Sequence, residues 1–123
     1  MTKPLHSLPI DLVRFPSFVK WLEAKSPRAR VGTPNSAEDC VIGRYLYERT
    51  GVSWLVVPDW YISQETYPVA QIAPPEWMVA VCRLLDRRPP SEQHKPVTAE
   101  KVLRVLKELE TVYPDWERIS AQP

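Results

Sequence analysis

The sequence predicts an α+β fold, mostly α, with about four helices and a small antiparallel two- to three-stranded element in the middle of the chain. Two observations carry this expectation. Apolar residues recur at helical spacing in four segments bounded by prolines. Between the second and third of them, residues 52–57 (VSWLVV) gather β-branched and aromatic side chains in a run too short for a helix.

The length of 123 residues fits a single domain, 1–123, with a Pro-rich N-terminal arm over 1–16 carrying Pro4, Pro9 and Pro16. Fourteen prolines stand against three glycines. Most prolines fall between the periodic segments, which reads as stiff connectors rather than loose ones.

The first helix is expected over 17–24, with Phe15, Phe18, Val19 and Leu22 on one face and Pro27 bounding its end. Residues 25–34 read as a solvated linker whose Lys25, Arg28 and Arg30 sit favourably past a helix C-terminus.

The second helix is expected within 35–51. Ser36 is placed to cap it, Glu38 and Asp39 put negative charge in its first turn, and Gly51 can end it in a left-handed conformation. Val41, Ile42, Tyr45 and Leu46 share one face, and Cys40, Gly43 and Tyr47 fall nearly opposite. Two apolar faces predict a helix wedged between neighbours. Gly43 then implies close approach of another backbone, with room for a ligand as the alternative. Arg44 and Glu48 are spaced for an i,i+4 pair.

Residues 52–57 read as a strand, with Val52, Trp54 and Val56 facing one way. Pro58-Asp59 signals a turn, Trp60-Tyr61-Ile62 can return as a second strand, and 67–72 as a third at a sheet edge because of Pro68. The third helix is expected from Pro74-Pro75 to about Arg87, burying Trp77, Met78, Val81, Leu84 and Leu85. The fourth is capped by Thr98, with Val97 and Val102 placed for a hydrophobic staple and Val102, Val105, Leu106, Leu109 and Tyr113 in one stripe. Asp115 to Ser120 reads as a short terminal turn carrying Trp116.

Sixteen basic and fifteen acidic residues leave a formal charge of +1. A dedicated nucleic-acid binder is therefore not expected, since such affinity rests on neutralised phosphates. Prolines interrupt the N-terminus where a signal peptide needs an apolar run, and no segment approaches the length of a membrane span. Cys40 and Cys82 lie far apart in no metal-like spacing, which predicts a reduced, cytoplasmic chain with no membrane partner.

No cofactor and no metal are expected. Three scattered glycines cannot build a phosphate loop, and G-x-S-x-G, H-E-x-x-H and C-x-x-C are all missing. A small enzyme would have to use Cys40, with Arg44 nearby, or His94 with a carboxylate. A helix N-terminus favours a Cys40 thiolate, and Glu38 and Asp39 oppose it. Arg83, Arg87 and Arg88 offer the only patch for weak nucleic-acid binding.

The aromatics remain. Trp54, Trp60, Tyr61, Tyr67 and Trp77 fall in one stretch, where they could fill a core. Carried on a short, partly exposed strand, Trp54, Trp60, Tyr61 and Tyr67 would instead form a recognition surface for a protein partner or a second copy. The leading expectation is thus a small non-enzymatic protein-interaction or accessory domain, with a homodimer as one form of it.

Val31 to Leu46 (VGTPNSAEDCVIGRYL) resembles a segment of small uncharacterised bacterial proteins. There a glycine is followed by an acidic-Cys pair and an Arg-Tyr-Leu helix, then by a tryptophan-bearing helix and a T-A-x-x helix, matched here by Trp77 and by Thr98 to Lys101. The resemblance implies a bacterial or phage-type domain and brings no catalytic residue with it.

Overall fold

In a computed structural model, the structure describes residues 13–34, 36, 39–51, 53–57, 61–64, 71–72, 74–93 and 95–121; the side chains of 55, 57, 61–64 and 71–72 lie outside the description. The chain is α+β and mostly α. In order, it forms α1 (Phe15–Glu23), β1 (Arg30–Gly32), α2 (Val41–Thr50), β2 (Trp54–Val57), β3 (Tyr61–Gln64), β4 (Gln71–Ile72), α3 (Glu76–Asp86), β5 (Val97–Thr98), α4 (Ala99–Val112) and α5 (Trp116–Ala121).

β2, β3 and β4 make an antiparallel meander in that order, with Trp54 opposite Gln64, Val57 opposite Tyr61 and Ile62 opposite Ile72. This is the expected middle element, with β3 running on through Ser63 and Gln64. Trp54 and Val56 are both buried, as the period of two requires. Val52, the Pro58-Asp59 turn, Trp60 and most of 67–72 fall outside the described residues.

The linker over 25–34 is not merely a solvated loop. It contains β1, which pairs antiparallel with β5 through an irregular register, Arg30 opposite Thr98 and Gly32 opposite Val97. Val31 is buried there and joins the core. Gly32 sits at φ 152°, and a Cβ on it would lie 2.6 Å from the Val41 backbone nitrogen. Two stretches of backbone therefore meet where only glycine fits.

α1 starts earlier than expected, so Phe15 and Pro16 belong to the helix and not to an extended arm. Proline suits the first turn because its fixed φ is helical and its missing N–H would have had no intrahelical partner. Trp21 is buried beside Phe18 and Leu22, a residue the apolar spacing had left out. α3 begins after Pro75, which is its N-cap rather than its first residue. α4 matches expectation: the Thr98 hydroxyl accepts from the Lys101 N–H at 3.2 Å, and Val97, Val102, Val105, Leu106 and Leu109 are buried.

The core is knitted by aromatic rings. Phe18 packs against Trp21, Tyr45 and Trp77 at centroid distances of 5.9, 5.2 and 5.3 Å, and Phe15 bridges Trp77 to Trp116. Rings from α1, α2, α3 and α5 thus share one contact chain. Such pairs favour offset or edge-on geometry because of the ring quadrupole. The Trp77 indole also donates to the Val13 carbonyl at 2.6 Å, which pins the entry to α1.

Candidate functional site

α2 differs from expectation at both its start and its outer face. It begins at Val41, and its N-cap is Cys40, whose sulfur accepts the Gly43 N–H at 3.3 Å. Ser36 instead accepts from the Asp39 N–H at 3.2 Å and caps a turn ahead of the helix. Asp39 is why. Its backbone carbonyl accepts from the Thr33 N–H at 2.7 Å, and its carboxylate takes the Thr33 hydroxyl at 3.2 Å and Arg44 through two nitrogens, at 2.7 and 3.3 Å. A residue committed to three partners outside helical geometry cannot also continue a helix backwards.

The forked contact with Arg44 holds the Asp39 carboxyl below its ordinary range; desolvation opposes, and the Thr33 hydroxyl adds a smaller push downward. Arg44 is raised by the same hydrogen bonds. Its remaining arm donates to the Arg30 carbonyl at 3.3 Å. Arg44 is therefore a clamp between α2, β1 and the preceding turn. Arg44 and Glu48 keep the expected i,i+4 relation as an electrostatic attraction, while their direct ion pairs go elsewhere, Glu48 to Lys25 just past α1 and Arg44 to Asp39.

Cys40, Val41, Ile42, Gly43, Tyr45 and Leu46 are buried, which is the wedged helix expected, but Tyr47 is not. It is 54% exposed, and Val112 is the other large exposed hydrophobic among the described residues. Glu48 and Arg49 follow it on the exposed side. Tyr47, Asp39, Gly43, Arg44, Glu48, Ser53 and Trp54 line a cleft of about 390 Å³ between α2 and β2. Gly43 forms part of its wall: the nearest atoms to a Cβ there would be the Cys40 sulfur at 3.6 Å, the Trp54 carbonyl oxygen at 3.7 Å and Val56 Cγ2 at 3.7 Å. A neighbouring backbone does approach, yet at a distance that would admit a methyl group.

Trp54 is not part of an exposed aromatic surface. It is 2% exposed, and its indole N–H is satisfied by the Thr50 hydroxyl, so its large ring serves the core. Tyr61 has its backbone in β3, and its side chain lies outside the description, as do Trp60 and Tyr67 altogether. The exposure of Tyr47 runs against its expected place on a second buried face with Cys40 and Gly43; its flanking Glu48 and Arg49 are the available signal.

The chemical candidates separate. Cys40 is buried, as is Cys82, whereas the Arg44 guanidinium is spent on Asp39 and Arg30. His94 lies outside the described residues. Arg87 and Arg88 line a second cleft, about 470 Å³, with Lys95 and Lys101, but Glu92 and Glu108 share it and Arg83 does not reach it. Among the described residues no group of three or more His, Cys, Asp or Glu is placed to hold a metal ion, and no helix is long and apolar enough to cross a membrane.

Fold and cleft together define a mostly helical α+β domain with a tyrosine-bearing groove beside its central helix. No protein-family model matches the chain, and no curated protein or solved structure does either.

Proposed function

We propose that the protein is a small non-enzymatic interaction domain of the cytoplasm that associates with a second copy of itself through the face of α2 carrying Tyr47. The observation behind this reading is a half-exposed tyrosine at the mouth of the cleft, on a helix whose other apolar side chains are buried. Tyrosine supplies a large, stiff contact area with a polar tip and is enriched where partners dock. A two-fold contact must be self-complementary. A tyrosine close to the two-fold axis meets its own copy, which satisfies this. A formal charge of +1 gives little repulsion between copies. The two free cysteines suit a reducing compartment.

Sedimentation equilibrium of the full chain across a wide concentration range tests this. The expected result is a concentration-dependent rise from monomer to dimer mass, lost in Tyr47→Ala while circular dichroism and melting stay unchanged. A monomer throughout the range, or a Tyr47→Ala variant that dimerises as the parent does, overturns it.

A further inference from the structure

Arg87 and Arg88 at the end of α3, Lys95 in the connection that follows and Lys101 in the first turn of α4 all line the cleft of about 470 Å³. Glu92 and Glu108 line it with them, so four cations outnumber two carboxylates. Among the described residues none of the four cations forms an ion pair. The Arg88 guanidinium is half-buried and donates to the Lys95 carbonyl at 2.7 Å. One bond of five possible holds it in place and leaves donors to spare. Beneath the charges the lining turns apolar: Leu85, Val97 and Val105 are core residues that reach the cleft, beside a half-buried Leu84.

The start of α4 is not free to hold an anion. The Ala99 and Glu100 N–H groups donate to the Ala29 and Pro27 carbonyls, and the Lys101 N–H donates to the Thr98 hydroxyl. Negative charge in this cleft has to be met by side chains.

We infer that the cleft docks an acidic peptide segment of a partner protein, one that carries an apolar side chain between its carboxylates. The apolar side chain covers Leu84, Val97 and Val105. The carboxylates meet Arg88, whose fork matches their two oxygens, and Lys101, which acts as a point charge. A nucleic-acid strand suits the cleft less well. Its bases need flat rings to stack on, and no aromatic ring is among the described lining residues. Its unbroken row of phosphates would also run past Glu92 and Glu108, where a peptide can place a neutral or basic residue. The cleft shares no lining residue with the one beside α2, so peptide docking and self-association through Tyr47 are separable.

The test titrates the folded full chain into the fluorescein-labelled peptide EDLFDE and follows its anisotropy. The expected result is saturable binding that weakens as sodium chloride is raised. The peptide EDSSDE keeps the charge and KKLFKK reverses it; both are expected to bind several-fold more weakly than EDLFDE. Arg88→Gln and Lys101→Gln are each expected to weaken EDLFDE several-fold with circular dichroism unchanged. Lys20→Gln removes the same charge from the exposed side of α1 and is expected to leave binding as it was. Glu108→Gln is expected to tighten it, a gain that damage to the fold would not produce. No saturable binding of EDLFDE, equal binding of EDSSDE, an equal loss in Lys20→Gln, a Glu108→Gln variant that binds no tighter, or stronger binding of a thymidine oligonucleotide overturns the site.

Discussion

The Trp54 indole donates to the Thr50 hydroxyl at 3.0 Å, and that hydroxyl donates onward to the Leu46 carbonyl at 2.7 Å. The last turn of α2 and the first residue of β2 are thereby tied by one side chain. Trp54 is almost wholly buried, so its N–H has no water to fall back on. Thr50→Val keeps the shape and removes the acceptor. It is expected to cost about 1–3 kcal/mol in urea unfolding, the penalty for a stranded buried donor. Thr50→Ser should recover most of it, and an unchanged stability in Thr50→Val would show the relay to be idle.

The two glycines of α2 should respond with opposite sign. Gly43 is inside the helix, and an alanine methyl there meets its neighbours at 3.6–3.7 Å, ordinary contact distances. Gly43→Ala is expected to stabilise by up to about 1 kcal/mol, the helix-propensity difference. Gly51 stands at φ 75° as the C-cap, where its N–H donates to the Tyr47 carbonyl. Gly51→Ala is expected to cost about 1–2 kcal/mol, because a side chain strains a left-handed residue even in open space. Paired thermal melts check both signs.

Gly32→Ala should do more harm than either. The added carbon would lie 2.6 Å from the Val41 nitrogen and 2.8 Å from the Cys40 carbonyl carbon, and backbone cannot swing aside as a side chain can. A loss on the order of 3 kcal/mol is expected from the combined clash and φ strain. An alanine variant with the parent's urea midpoint would contradict the close approach of β1 to the start of α2.

Asp39 gives a pH dependence of known sign. Its folded pKa is lowered below the ordinary 3.8, chiefly by Arg44. The stability it contributes is therefore present in full above that value and lost as pH falls through the lower, folded one. Both partners are roughly two-fifths exposed, so solvent screening limits the effect to about 1 kcal/mol or less. Asp39→Asn should be slightly less stable than the parent at neutral pH, with the gap closing in denaturant titrations as the pH falls below the ordinary carboxylate value. A gap independent of pH would mean that charge plays no part.

What was legible in the sequence was what local chemistry decides. Thr98, Val97 and Val102 announced α4, and the residues that bury it recur at helical spacing. Gly51 marked the end of α2, and the run containing Trp54 and Val56 marked β2. What stayed hidden depends on partners distant along the chain. β1 and β5 are three and two residues long and exist only through each other. Ser36 and Asp39 have the composition of a helix start, but Thr33 and Arg44 claim Asp39 first. Trp54 looked available for recognition because nothing nearby shows that α2 would cover it. The cleft was half visible: Gly43 hinted at room beside the helix, while Tyr47 was assigned to the wrong side.

The seating of the indoles has an optical consequence. Trp21, Trp54, Trp77 and Trp116 are all at most 7% exposed. Their emission should lie toward the blue in the native chain and move red on denaturation, whereas Tyr47 sits outside this shielded set. The emission of these four can thus follow the interior while the outer face of α2 is altered.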